Sequence, residues 1–135
     1  MTGVQTCALP ISFLEARTQA CLRAGIARER IAIDPGFGFG KTLAHNLELL
    51  RSLGAFAATG FPVVAGLSRK SSLGAITGRG VDERMPASVA AALAAVARGA
   101  AIVRVHDVRE TVDALRVWHA VEGKVEWEPT LLRAR

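Results

Sequence analysis

Three short segments of this chain concentrate the side chains that do chemistry: DPGFGFGK at 34–41, GLSRKSS at 66–72 and RVHD at 104–107. The first looks like a phosphate loop, but that pattern needs four residues between its first glycine and the Gly-Lys-Thr. Counting back from Gly40 puts Pro35 where the first glycine should stand, so an ATPase reading fails by one residue. Glycines in a turn for backbone reasons alone would explain the segment, except for Asp34 and the phenylalanines. A carboxylate at Asp34 can accept hydrogen bonds from a ring N–H and an amino group, and Phe37 and Phe39 can cover a flat ring. Ser68, Arg69 and Lys70 offer a hydroxyl and two cations, although a solvated loop is the commoner fate of such a triplet. Arg104 and His106 lie two apart on an apolar run, so on a strand they share one face with Ile102. An Arg turned into an interior requires an anion. A guanidinium beside an imidazole suits phosphate oxygens, and an ion pair with an acidic side chain elsewhere is the structural alternative.

The elements that must position these segments alternate. Residues 12–25 read as a helix with Ser12 as N-cap, Glu15 in capping-box position and Gly25 as the stop. Ile31, Ala32 and Ile33 form a short buried strand ending near Asp34. Thr42 caps a helix with Leu43, Leu47, Leu50 and Leu53 at helical spacing, ended by Gly54. Val63, Val64 and Ala65 form the next strand, followed by a loop running to about Met85. Pro86 opens an Ala-rich helix with Val89, Leu93 and Val96 on one face. The run AIVRVHDV is the third strand. Asp107 then caps a last helix, with Glu110 three residues on and a stripe of Val108, Val112, Leu115, Trp118 and Val121 ending at Gly123. Apolar strands at intervals of roughly 30 to 40 residues, each followed by a helix, predict an α/β protein with a parallel sheet. In a (β/α)8 barrel or an open doubly wound sheet, the residues just after each strand build the site. Those are the three segments above.

Composition narrows the partner. Half of the 135 residues are hydrophobic and 21% are charged, which is a globular balance and not a disordered one. The net charge is +5, but Lys and Arg never run beyond two and no aromatic residues interleave with them. A nucleic-acid surface needs both, so a small phosphate-bearing ligand is the better match. Cys7 and Cys21 form neither a disulfide framework nor a metal-ligand spacing, which fits a reducing, cytoplasmic setting. No apolar run approaches the roughly 20 residues of a membrane span.

Taken together, DPGFGFGKTLAHNLELL, VVAGLSRKSSLG and GAAIVRVHDVRETVDALRV resemble the dihydropteroate synthases over about residues 13–120. The resemblance implies the C-terminal portion, about three strands, of a (β/α)8 TIM barrel. Its activity would be the joining of a dihydropterin methyl pyrophosphate to p-aminobenzoate, releasing pyrophosphate. It implies that Asp34 holds the pterin's pyrimidine edge, that Lys70 reaches the pterin carbonyl and ring nitrogen, and that Gly66 and Phe39 line the pterin. Asp34 and Lys70 are the implied catalytic pair. Ser68 and Phe39 would line the aminobenzoate, while Arg104 and His106 would grip the pyrophosphate; Arg69 lies in the same loop. Mg2+ is the implied cofactor, with its ligand on early strands whose motifs do not occur in this chain. The full-length parent is expected to be a cytoplasmic homodimer, with no nucleic-acid or membrane partner, and the segment alone is expected to be inactive. A methyltetrahydrofolate-dependent methyltransferase barrel and a non-catalytic synthase homologue serving as a partner subunit are the alternatives. A methyl donor, however, needs no pyrophosphate grip.

The ends of the chain read differently from its middle. MTGVQTCALPI has no charge and no period, and it resembles the conceptual translation of a sequencing adapter whose end, GCT CTT CCG ATC, encodes Ala8-Leu9-Pro10-Ile11. Residues 1–11 are therefore expected to be foreign to the fold, 12–123 to be the partial barrel and 124–135 a frayed tail.

Overall fold

A computed structural model describes the backbone of residues 3–124 and the side chains from Pro10 onward. Three parallel strand segments lie side by side in chain order. Ile33 bridges Val63, and β1 (Val64–Ala65) pairs in parallel with β2 (Ile102–Val103) in the register Val64 to Ile102 and Ala65 to Val103. The first strand is thus a single bridge, clasped by Ile33 N–H donating to Pro62 O at 2.9 Å and Val64 N–H donating to Ile33 O at 2.8 Å. Parallel neighbours joined through helices are the βα repeat that the spacing predicts, and the arrangement is a portion of a (β/α)8 barrel.

The core lies between this sheet and the helices α1 (Gly3–Arg23), α2 (Leu43–Arg51), α3 (Leu53–Ala57), α4 (Ser71–Thr77), α5 (Met85–Ala97) and α6 (Val108–Val121). Ile33, Val63, Ala65 and Leu67 from the strands meet Leu49, Leu53, Phe56, Leu73, Ala91 and Ala95 from the helices, all buried. Phe37, Phe56, Leu53 and Val63 are the largest side chains sealed from solvent, so Phe37 is core and not a cover for a ligand ring. Burying each such side chain stabilises the fold by about 1.5–3 kcal/mol.

Several local expectations change here. Helix α1 runs through Ser12, which is therefore neither a cap nor part of a capping box. Ile11, inside the segment expected to be foreign, packs with Leu14 and Leu22 against the core. Thr42 does cap α2, its hydroxyl accepting from His45 N–H at 3.2 Å. The helix nevertheless stops at Arg51, so Leu53 and Gly54 belong to α3; the buried positions of α2 are Asn46 and Leu49, while of the predicted series Leu53 is buried, Leu50 packs against the core and Leu43 is exposed. The long loop to Met85 contains α4, whose glycine and serines carry little helical propensity. On α5 the buried positions are Ser88, Ala91, Ala92 and Ala95, whereas Val89, Leu93 and Val96 are half-buried to the side. Small residues let the helix axis approach the sheet, and that outweighs the larger area of the branched side chains. On α6 only Thr111 is buried, while Val108, Val112 and Val121 of the predicted stripe are exposed. The tail, past Lys124, lies outside the described residues.

Candidate functional site

The three motifs meet at the C-terminal ends of the three strands. Asp34 follows the Ile33 bridge and accepts from Gly36 N–H at 2.8 Å, which turns the chain sharply out of the strand. Its other carboxylate oxygen lies 3.8 Å from the Arg104 guanidinium, an ion pair spanning the first and third strand ends. The alternative of a structural Arg paired with an acid is thus realised in part. Arg104 is not buried, though: its side chain is 63% exposed. Gly66 makes this possible, because a Cβ there would stand 2.6 Å from the Arg104 Nη2. Ile102, on the same face of β2, is 48% exposed.

Ser68 and His106 join the second and third strand ends. Ser68 Oγ lies 2.9 Å from His106 Nδ1 and accepts from the His106 backbone N–H at 3.2 Å. The ring is thereby held by Nδ1, which leaves Nε2 for a ligand. Arg104 and His106 do share a face, yet each is held by a different neighbour, not by the other.

Lys70 reaches toward the first strand end. Its ammonium donates to Phe37 O and stands 5.1 Å from the centre of the Phe39 ring. Burial, then the nearby Arg104, pushes its pKa below the usual lysine range, and Asp34 acts in the opposite direction. Phe39 itself is 70% exposed at the crest of the glycine loop. Gly36, Gly38 and Gly40 all take positive φ, so the loop could not form with side chains at these positions without strain. Lys41 closes it, its ammonium donating to Gly36 O at 2.8 Å and Phe39 O at 3.2 Å.

Three residues that the sequence did not single out hold this arrangement, together with Asp107 in a role other than the cap expected of it. Asn46 is buried; its amide oxygen accepts from Gly38 N–H at 2.8 Å and its NH2 donates to Ser72 Oγ at 3.0 Å, tying the glycine loop to α4. Ser88 accepts from Arg69 N–H at 2.9 Å. Arg84 donates to Arg69 O at 3.0 Å, and Gly74 leaves room for its guanidinium against α4. Asp107 stands at the N-cap position of α6 but makes no side-chain cap; its carboxylate binds Arg69 instead. A polar residue at the one buried polar position of an apolar helix face was the available signal for Asn46 and Ser88. No local pattern announced Arg84, or Arg69 as the partner of Asp107.

The described residues contain no group of three or more His, Cys, Asp or Glu able to hold a metal ion, and no helix among them is long and apolar enough to cross a membrane.

Comparison with known proteins places this geometry. Residues 5–106 match the model of the family described as pterin binding enzyme. The dihydropteroate synthase of Neisseria meningitidis serogroup B is 58% identical over 113 residues, which is 81% of this chain and 40% of that protein. The solved dihydropteroate synthase of Xanthomonas albilineans in complex with 7,8-dihydropteroate superposes with a TM-score of 0.85 at 52% identity, covering 87% of this chain and 46% of that one. The same enzyme with 4-aminobenzoic acid gives a TM-score of 0.85 at 52% identity, covering 87% and 43%. The chain spans less than half the length of these relatives. Sequence, parallel topology and the convergence of three strand ends agree, and the chain belongs to the pterin binding enzyme family.

Proposed function

We propose that this chain is the C-terminal barrel segment of a dihydropteroate synthase, which condenses dihydropterin methyl pyrophosphate with p-aminobenzoate. The observation that carries the reading is the meeting of Asp34, Lys70, Arg104 and His106 at one end of three parallel strands. In the reaction the bond between the pterin methylene carbon and the pyrophosphate oxygen breaks. The pyrophosphate leaves with the electron pair, the aniline nitrogen bonds to that carbon, and a proton is lost from the nitrogen. Asp34 accepts from the pterin ring N–H and amino group. Lys70 donates to the pterin carbonyl and ring nitrogen, with Gly66 and Phe39 alongside. Ser68 and Phe39 line the aminobenzoate. Arg104 and His106 take up the charge that develops on the leaving group, and such fixed donors contribute most where charge appears only in the transition state. An anion beside Lys70 would also restore the ammonium that burial and Arg104 disfavour.

Mg2+ would help neutralise pyrophosphate when bound, but the described residues do not make a site for it: Asp107 is engaged by Arg69, and Asp34 stands without a second carboxylate. No step is therefore assigned to the metal here. Cytoplasmic placement and a homodimeric parent go with the same reading. The 135-residue chain by itself is expected to be inactive, since Ile102 on the site face of β2 is open to solvent.

The test is calorimetric titration of a synthase of the relatives' full length carrying this segment. Asp34→Ala and Lys70→Ala should each weaken the pterin pyrophosphate about 100-fold, the size expected for losing two charge-assisted hydrogen bonds. Arg104→Ala should weaken it about 10-fold or more while a pterin without phosphates binds within about 2-fold of the parent. Equal losses for both ligands would make Arg104 structural, and near-parental affinity in the first two variants would sink the assignment.

A further inference from the structure

Arg69 sits between two site residues, and its side chain binds neither of their partners. Its φ of 57° is the only positive value outside glycine among the described residues. That conformation is unfavourable for a residue with a Cβ and persists only where the surroundings over-determine it. Four groups do so. The backbone N–H donates to Ser88 Oγ at 2.9 Å, and the carbonyl accepts from Arg84 Nη1 at 3.0 Å. The guanidinium donates to both carboxylate oxygens of Asp107, at 2.8 and 3.3 Å. Because the chain turns left-handed at Arg69, Ser68 faces His106 and Lys70 faces the glycine loop, while the Arg69 side chain goes to Asp107.

Asp107 makes the matching sacrifice. It occupies the N-cap position of α6 yet leaves that helix uncapped by its side chain. It directly follows His106 and stands three residues after Arg104. Two locally unfavourable choices, a left-handed arginine and an uncapping aspartate, are thus offset by one ion pair. The pair raises the Arg69 pKa and lowers that of Asp107, mainly through the hydrogen bonds between them.

We propose that the Arg69–Asp107 ion pair is a positioning clamp that sets the second and third strand ends in register, so that Ser68 and Lys70 meet the substrate groups held by Arg104 and His106, and that Arg69 does not itself grip the anion. The inference rests on the synthase reading for its activity readout. A displacement of about 1 Å at a remote support can cost on the order of 100-fold in rate.

The experiment uses the same full-length synthase with Arg69→Gly, Asp107→Asn and the double variant. Glycine adopts the φ of 57° freely, so Arg69→Gly removes the clamp without adding backbone strain. Each single change should lower kcat about 10-fold, and the double should lose no more than about 10-fold, as residues acting as one unit do. A double loss near 100-fold would overturn the proposal. Titration with inorganic pyrophosphate separates the clamp from a grip. A clamp makes both single variants bind it equally or more weakly than the parent, and a grip makes Arg69→Gly weaker and Asp107→Asn, which frees the guanidinium, tighter. The 15N shift of His106 Nδ1 supplies a readout independent of synthase activity: it should move alike in both single variants, and an unmoved signal would overturn the clamp. If the parent forms no dihydropteroate, the synthase reading fails while this signal still decides the clamp. Thermal melting accompanies each variant. An Asp107→Asn protein too unstable to assay leaves Arg69→Gly and its His106 signal to settle the matter.

Discussion

The two loops that flank the site are built on opposite principles. The loop at 66–70 is braced by side chains from elsewhere: Ser88, Arg84 and Asp107 hold Arg69, and His106 holds Ser68. Gly66, Leu67 and Ser68 are buried. The loop at 36–41 is held by its own backbone, through three left-handed glycines and the Lys41 ammonium turned back onto its carbonyls, and by two buried anchors, the Phe37 side chain in the core and the Asn46 amide. Its crest, Gly38 to Gly40, is exposed. A braced loop presents fixed donors, as charge stabilisation in a transition state requires. A loop of glycines carries a low barrier to rearrangement, as covering a ring that enters and leaves requires. Lys70 belongs to the first loop and leans on the second, so it is where the two behaviours meet.

Removing the bracing should produce the largest effect on stability. Ser88→Ala leaves the Arg69 N–H without its partner beneath a buried helix face, and should destabilise the fold by about 1–3 kcal/mol in denaturant unfolding. A change within about 0.3 kcal/mol would mean that solvent already reaches this loop and that the contrast is false.

The glycine loop should respond to shape and not to lost bonds. Gly38→Ala meets both a φ of +84° and the Lys70 side chain, whose Cδ would lie 3.1 Å from the new Cβ. Gly40→Ala meets a φ of +60° with nothing within 4 Å. Each should lose about 1–2 kcal/mol to the backbone term, but only Gly38→Ala should displace Lys70, read as a changed Lys70 Nζ chemical shift. Identical shifts in the two variants would break the link between the loops.

A smaller signature lies at acid pH. Hydrogen bonds from Arg69 hold the Asp107 carboxyl below its usual range in the folded chain, so the pair stabilises the fold above the unfolded carboxylate pKa of about 3.9 and that stability is lost as pH falls through the lower folded value. Asp107→Asn should therefore be less stable than the parent at neutral pH and converge with it as the pH falls through the lowered folded value. A constant gap at all pH values would show that charge plays no part.

The smallest effect should come from deleting residues 1–10 while keeping Ile11, which packs on the core. The melting temperature should stay within about 2 °C, and neither loop should change. A clear fall would make the segment part of the fold.

Much of this organisation was legible along the chain. Apolar runs bounded by turn residues marked three strands, and the chemistry-bearing segments fell just after them, because a parallel βα unit delivers every strand end to one side. Thr42 announced α2, since a cap is a contact over three residues. The positive φ values at 36, 38 and 40 followed from glycine itself. Local periodicity misjudged α5, where apolar volume pointed to Val89, Leu93 and Val96 while close packing on the sheet selected Ala91, Ala92 and Ala95. It also missed α4, whose Gly74 is poor helix chemistry but leaves space for Arg84.

What the sequence by itself determined, then, is the order of elements, the parallel sheet and the list of reactive groups, because each depends on backbone preferences and hydrophobic patterns within a few residues. Which of those groups touch was decided only by the tertiary structure. Ser68 with His106 and Arg69 with Asp107 are each 38 residues apart, joined only because β1 and β2 lie side by side in register. The cap that Asp107 could have formed within four residues lost to an ion pair across that distance. A charged guanidinium offering two hydrogen bonds outweighs one exposed helix N–H, and no local rule counts a partner that the chain has yet to bring near.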